Sequence, residues 1–337
     1  MKIKYIPLLL ALLLMLTGCG QRVPEQTSQI FAMDTVMDFY AVGDGAEDVL
    51  VEAAQEINRL EALLSRTRQG SEVYILNETG SAALSQETAQ LLRDALTYAE
   101  ITGGAFDITV APLVDAWDIH GDDPRVPDDA EIAGLLTLVG SGHLHLTDGS
   151  AALDAGCAID LGGIAKGYAS DVVARLYRER GIQGGWISLG GNVYAHGTKP
   201  DGSFWNVAVR DPADTAANAA LLQLSNEFAV TSGGYQRFFT ADDGTVYQNI
   251  IDPQTGKPAR SDLLSVTIIA PNGTMADAYS TALYVMGESG AVSFWSANRA
   301  DFDMVLITAD RRLLYTPGLL GRITTEEGGP YEVCALT

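Results

Sequence analysis

The feature that most restricts the fold is the second half of the chain. There, short apolar runs follow one another with little helix between them. Residues 186–189, 193–196, 205–210, 228–231, 246–251, 264–270, 304–308 and 313–316 each read as a strand bounded by turn-forming residues. Helical spacing is confined to a few segments. Residues 44–65 carry Val49, Leu50, Ala53, Ile57, Leu60 and Leu64 on one face. A second helix is predicted from Ser85 as N-cap, through Thr88, Leu91, Leu92, Ala95, Leu96 and Ala99, to a stop at Gly103-Gly104. Two more are predicted over 164–180 and 274–286, the latter being the last strong one. The segment 143–153 reads as a hairpin turning at Asp148-Gly149, and 118–135, rich in Asp, Pro and Gly, as an exposed insertion. Hairpin-like strands with a few helices predict an α+β fold with mostly antiparallel sheets. A doubly wound nucleotide fold is disfavoured, because strict β-α alternation and a G-x-G-x-x-G turn are both missing.

The first residues are read as an address. Lys2 and Lys4 precede an apolar run over 7–16 that is too short to span a bilayer comfortably, as in a signal peptide. Leu16-Thr17-Gly18-Cys19 then resembles a bacterial lipobox, in which Cys19 becomes the lipidated N-terminus. The expected organisation is a signal peptide over 1–18, a polar tether over 19–30 and one elaborated globular unit over 31–337. That unit would be lipid-anchored on the extracytoplasmic face of a bacterial cell membrane.

Charge limits the partners. Lys and Arg number 21 against 43 Asp and Glu, a formal net charge of −22, and two of the lysines lie in the leader. A surface this acidic repels phosphate backbones and argues against nucleic acid. A phosphorylated small ligand would need carefully placed cations or a metal. Beyond Cys19 only Cys157 and Cys334 remain, compatible with a bridge or with two separate thiols. His143 and His145 alternate as on one strand face, but a zinc site needs further ligands, so they read as surface residues.

Four segments carry more glycine and polar detail than packing requires. The first is Thr102-Gly103-Gly104-Ala105-Phe106-Asp107, where glycines permit close backbone approach, Phe106 offers a stacking face and Asp107 offers acceptors. It also reads simply as a helix stop. The second is Asp160-Leu161-Gly162-Gly163-Ile164-Ala165-Lys166-Gly167-Tyr168, glycines at a helix N-terminus with Lys166 on the first turn, a usual place for phosphate, though without P-loop spacing. The third is Ser188-Leu189-Gly190-Gly191-Asn192, a glycine pair within a strand that marks a bulge, a close contact or a tight corner. The fourth places Asp277 and Thr281 one turn apart on a helix. Carboxylate and hydroxyl, joined by a backbone carbonyl from elsewhere, make an all-oxygen set that suits Mg²⁺. The same Asp near a helix start is also explained by the helix dipole.

Taken in order, these segments resemble the ApbE-type flavin transferases, the FAD:protein FMN transferases, from about Phe31 to about Met286. The most specific matches are Gly104 to Val110 with Pro112-Leu113, Asp160 to Tyr168, and Asp277 to Thr281. Weaker ones are Met33-Asp34-Thr35, Ser71-Glu72 with Asn77, Leu189 to Asn192, Thr231-Ser232-Gly233 and Ile250 to Gly256. The resemblance implies an ApbE-like, T-fold-related architecture. It implies that FAD, as substrate, is cut at its pyrophosphate, and that FMN passes to a Thr or Ser hydroxyl of a partner with an FMN-binding domain, leaving AMP. Matching positions imply that Met33, Thr67, Ala105, Phe106, Asp107, Asp160, Lys166 and Ile251 line the FAD pocket. They imply that the Gly163 carbonyl, Asp277 and Thr281 hold Mg²⁺, with Asp277 also catalytic.

Two positions depart from the family pattern. Asn249 stands immediately before the Ile-Ile-Asp-Pro stretch, where many members carry His, and Asn cannot act as a general base. Thr67 stands about where relatives place a flavin-contacting Tyr, which leaves Tyr74 as another source of stacking. Hydrolysis of FAD to FMN and AMP, or flavin binding without catalysis, are the alternative activities.

Overall fold

A computed structural model describes residues 23–119, 121 and 123–337; the signal segment and Cys19 lie outside them. Nine strands form the central sheet, and their spatial order follows the chain: Glu25–Ala32, Thr35–Val42, Gly184–Leu189, Asn192–Gly197, Glu227–Gly233, Leu263–Ala270, Asp303–Thr308, Arg312–Tyr315 and Glu332–Ala335. Every neighbouring pair is antiparallel except the last. The predicted α+β class with mostly antiparallel sheets is the observed one.

Seven helices accompany the sheet in the described residues: α1 (Ala46–Leu64), α2 (Glu72–Thr79), α3 (Gln86–Ile101), α4 (Ala111–Trp117), α5 (Asp129–Leu136), α6 (Ala165–Glu179) and α7 (Gly273–Ala297). The sheet is buried on both faces, which its sequence explains. Successive strand side chains point to opposite faces. Met304 and Leu306 therefore enter the larger core, with Ile57 and Leu60 of α1, Val173 and Tyr177 of α6, and Leu283 of α7. Val305 and Ile307 enter a second core, closed by a small sheet of Trp205–Arg210, Asn218–Leu224 and Ile323–Thr324. Each such fully buried aliphatic side chain contributes about 1.5–3 kcal/mol.

Helices α6 and α7 cross closely because the crossing point lacks side chains. A Cβ on Gly167 would stand 2.2 Å from the Gly273 carbonyl oxygen, and a Cβ on Gly273 would stand 2.8 Å from the Gly167 oxygen. The helices also cap each other. Asp171 of α6 accepts from the Gly273 and Thr274 N–H groups at 2.9 and 2.8 Å and from the Thr274 hydroxyl at 2.6 Å. Burial pushes its carboxyl above the usual range, against the lowering effect of those bonds.

Several elements differ from expectation. Residues 25–30, predicted as tether, belong to the edge strand Glu25–Ala32, paired along its length with Thr35–Val42. An edge strand faces water, so its polar Glu25 to Gln29 carry no apolar alternation to reveal it. Within the predicted insertion 118–135, Asp128 caps α5 by accepting from the Glu131 N–H, and Ile132 is buried against Leu113 and Trp117. Helix α2 was hidden by its weak amphipathicity, although Ser71 caps it. The 246–251 run is a strand only over Val246–Gln248, followed by a bridge from Ile251 to Pro258. Gly190-Gly191 forms the hairpin turn between two strands, with φ of 60° and 103°, rather than a bulge inside one. Beyond the predicted end at 286, α7 resumes after Gly287, whose φ of 70° interrupts it. Cys157 and Cys334 are both free thiols.

Candidate active site

One cleft of about 610 Å³ gathers the residues that the resemblance assigned to FAD and Mg²⁺: Met33, Thr67, Ala105, Phe106, Asp107, Asp160, Gly163, Lys166, Ile251, Asp277 and Thr281. Its walls come from the Thr35 hairpin tip, the end of α1, the α3–α4 connection, the N-terminus of α6 and the first turns of α7. Tyr74 is not among the lining residues, so it supplies no stacking there.

The α6 end is built by hydrogen bonds over long sequence distances. Asn77 of α2 accepts from the Ile159 N–H at 2.8 Å and donates to the Ile159 carbonyl at 2.9 Å, fixing the irregular segment that leads to Asp160. Asp160 Oδ1 accepts from Gly162 N at 2.6 Å, which folds the glycine turn. Lys166 Nζ donates to the Gly162 carbonyl at 2.9 Å, holding its charge over the same turn. Asp107 is buried and accepts from the Thr109 N–H and hydroxyl at 2.8 and 2.6 Å, so one of its oxygens organises its own loop.

Across the cleft, Asp277 is only 4% exposed. Its Oδ2 accepts from Gly167 N at 2.8 Å, and Oδ1 has no hydrogen-bond donor among the described residues. Thr281 follows one turn later. Its hydroxyl lies 3.3 Å from Ser232 Oγ, which is itself 2.8 Å from Ser280 Oγ. Gly163 faces this pair: a Cβ there would fall 3.4 Å from Thr281 Oγ1 and 3.2 Å from Phe106 Cε2. Gly163 with its backbone carbonyl, the half-free Asp277 carboxylate and the Thr281 hydroxyl thus line the same cleft. These are hard oxygen donors, and the set fits Mg²⁺, which keeps part of its water and needs few protein ligands. The described residues hold no cluster of three or more His, Cys, Asp or Glu placed for a metal; His143 and His145 instead both contact Asp154 at 2.9 Å on the surface.

Two arginines in the cleft escaped the sequence reading. Arg66 and Arg237 line it, so Lys166 is not its sole cation. Arg66 Nη1 donates to Asp160 Oδ2 at 3.0 Å and Nη2 donates to Asp115. Burial works against the Arg66 charge, but the two carboxylates outweigh it and hold the guanidinium above its ordinary range. Arg237 donates to the Asp34 carbonyl at 2.9 Å. Met33 and Asp34 form the hairpin tip with φ of 47° and 57°, a left-handed backbone that is uncommon for a bulky residue. The Met33 N–H, bonded to Glu61 Oε1 at 2.6 Å, helps to hold it. Asn192, 2% exposed, leaves its Nδ2 without a partner in the cleft wall. An orphaned buried donor of this kind costs about 1–3 kcal/mol. Neither Arg66 nor Arg237 has a local sequence signature, because their partners lie far along the chain.

Even with three cations, the described lining is acidic: Asp34, Glu61, Asp107, Asp115, Asp118, Asp160 and Asp277 oppose Arg66, Lys166 and Arg237. A pyrophosphate entering this cleft would meet net repulsion unless a further cation came with it.

Known proteins resemble this chain over most of its length. The ApbE family model matches residues 33–306. A curated FAD:protein FMN transferase of Treponema pallidum is 34% identical over 294 residues, covering 81% of each chain. That of Salmonella typhimurium is 32% identical over 304 residues, covering 84% of this chain and 86% of the relative. Among solved structures, the ApbE protein of Thermotoga maritima superposes with a TM-score of 0.84 at 28% identity, over 90% of this chain and all of that one. The flavin transferase ApbE of Vibrio cholerae superposes with a TM-score of 0.75 at 27% identity, over 85% and 94%. The family match encloses every residue of the cleft, and the relatives align along most of their own lengths. The chain belongs to the ApbE family.

Proposed function

We propose that this protein is an Mg²⁺-dependent FAD:protein FMN transferase, passing FMN from FAD to a Thr or Ser hydroxyl of an acceptor protein with an FMN-binding domain and releasing AMP. The observation that supports it most is the corner where Gly163, Asp277 and Thr281 meet beside Lys166 at the α6 N-terminus. Pure flavin binding does not require such a donor set.

The chain's own residues would act as follows. The apolar side of the cleft, with Phe106 and Ile251, receives a ring of the dinucleotide. Lys166, on the first turn of α6, faces the pyrophosphate. Gly163 O, Asp277 and Thr281 would hold Mg²⁺, which when bound neutralises phosphate charge as the P–O bond breaks. The acceptor oxygen forms a bond to the FMN phosphorus, the bond to the AMP oxygen breaks, and AMP leaves. Asn249 lines the same cleft and cannot take the hydroxyl proton, so we assign that proton to Asp277. An address over 1–18 with Cys19 would tether the globule to the extracytoplasmic face of the membrane, where the acceptor would be found.

The test incubates the protein lacking its leader with FAD, Mg²⁺ and an acceptor domain bearing an Asp-Gly-x-Thr-Gly-Ala-Thr-like segment. Intact-mass analysis should show the acceptor gaining one FMN. Free FMN and AMP without labelled acceptor would replace the transferase by a pyrophosphatase, the activity that Asn249 makes the second reading. Unchanged FAD throughout would leave a flavin-binding protein.

A further inference from the structure

We propose that Arg66 is a specificity-determining residue of the cleft, whose guanidinium acts as a planar platform for a heteroaromatic ring of the dinucleotide rather than as a phosphate-binding charge. The inference rests on the flavin reading above and deepens it.

Position comes first. Arg66 lies just past the end of α1, lines the cleft, and its side chain is 23% exposed. Its neighbour Thr67, also lining the cleft, carries no ring. The aromatic lining side chains, Phe106 and Trp117, are 3% and 1% exposed, so both are largely committed to the core. With those rings buried, the described lining offers two guanidiniums, Arg66 and the more exposed Arg237, and of these Arg66 is the one that two carboxylates hold in place.

Its hydrogen bonds then restrict what it can do. Nη1 is held by Asp160 and Nη2 by Asp115, two carboxylates against one cation. The group carries no surplus positive charge, so a phosphate gains little by approaching it. Guanidinium N–H groups donate within the plane of the group, so the two bonds fix its orientation without using its faces. A guanidinium held this way stacks on aromatic rings, and its bonding partners polarise it without blocking the face. Asp115 is 61% exposed at the outer side, so the clamp spans from the buried loop of Asp160 to solvent. Lys166 has no such carboxylate partner and is bonded to a carbonyl, which leaves its charge for phosphate.

The experiment titrates FAD, FMN and ADP into wild-type protein, R66K, R66A and D115N, following flavin fluorescence and calorimetry with melting curves as the fold control. Lys keeps the charge but has no plane. R66K and R66A should therefore both weaken FAD by about tenfold, the scale of one desolvated stacking contact. If the ring is the flavin, FMN weakens equally and ADP is unchanged; if it is the adenine, ADP weakens and FMN is unchanged. D115N keeps the plane and should retain most of the affinity. R66K binding FAD as wild type does would overturn the platform and restore a charge role. A wild-type protein that binds no flavin would overturn the flavin reading, and the platform with it.

Discussion

Asp277 of α7 accepts the Gly167 N–H of α6 at 2.8 Å, although 110 residues separate them in the chain. The bond joins the glycine turn, which carries Gly163 and Lys166, to the helix that carries Thr281. In the opposite direction Asp171 of α6 caps the first turn of α7. The site is thus assembled by two helices that terminate each other, and the predictions follow from that reciprocity.

Asp277→Ala should abolish FMN transfer and also destabilise the fold by about 1–3 kcal/mol, because the Gly167 N–H loses its buried acceptor. Asp277→Asn keeps an acceptor oxygen for that bond and should melt near the wild-type temperature while still losing at least about a hundredfold in turnover. Full activity of either variant would remove Asp277 from the chemistry.

Asp171→Ala should destabilise by about 1–3 kcal/mol, because the Gly273 and Thr274 N–H groups lose their acceptor. Asp171→Asn should be milder, since burial already disfavours the charge that Asn removes. Chemical denaturation at neutral pH compares the two. Equal losses would show that the charge, not the acceptor, matters.

Gly167→Ala places a Cβ 2.2 Å from the Gly273 oxygen and 2.6 Å from Asp277 Cβ. The helices must part, at about 1–3 kcal/mol of overpacking. Because Asp277 moves with α7, turnover should fall further than stability does, as steady-state rates measured well below the melting temperature would show.

Chelation should stop turnover, and added Mg²⁺ should restore it. With FAD present, Mg²⁺ at a hundredfold excess over its Kd should add about 2.7 kcal/mol to wild-type stability and nothing to Asp277→Ala. Undiminished transfer in a chelator would reject the metal set.

His196 gives a stability prediction away from the cleft. Its Nε2 donates to the Ile182 carbonyl at 2.8 Å, its ring is 6% exposed, and burial holds its pKa below the ordinary 6.5. A depressed histidine contributes stability that is present above pH 6.5 and is lost as pH falls through the folded-state value. Unfolding free energy should therefore decline on acidification below about pH 6.5. His196→Gln should flatten that decline.

The sequence by itself determined a good deal. The strand spacing of the second half fixed an antiparallel α+β sheet, since alternation and turn residues are local properties. Glycine pairs beside Phe106 and Lys166, and the one-turn spacing of Asp277 and Thr281, marked the site, because backbone approach and helix-face spacing can be read over a few residues. What remained was decided by partners far along the chain. Glu25 to Gln29 become a strand only because Thr35–Val42 offers its edge. Ile132 shows its helix only against Trp117. Arg66 looks like any surface arginine until folding brings Asp160 from 94 residues away. Local patterns record which face of an element is buried, whereas the charge balance of a cleft depends on which elements meet. Only the tertiary structure brings the acids and the few cations together, and so decides the charge balance of the cleft.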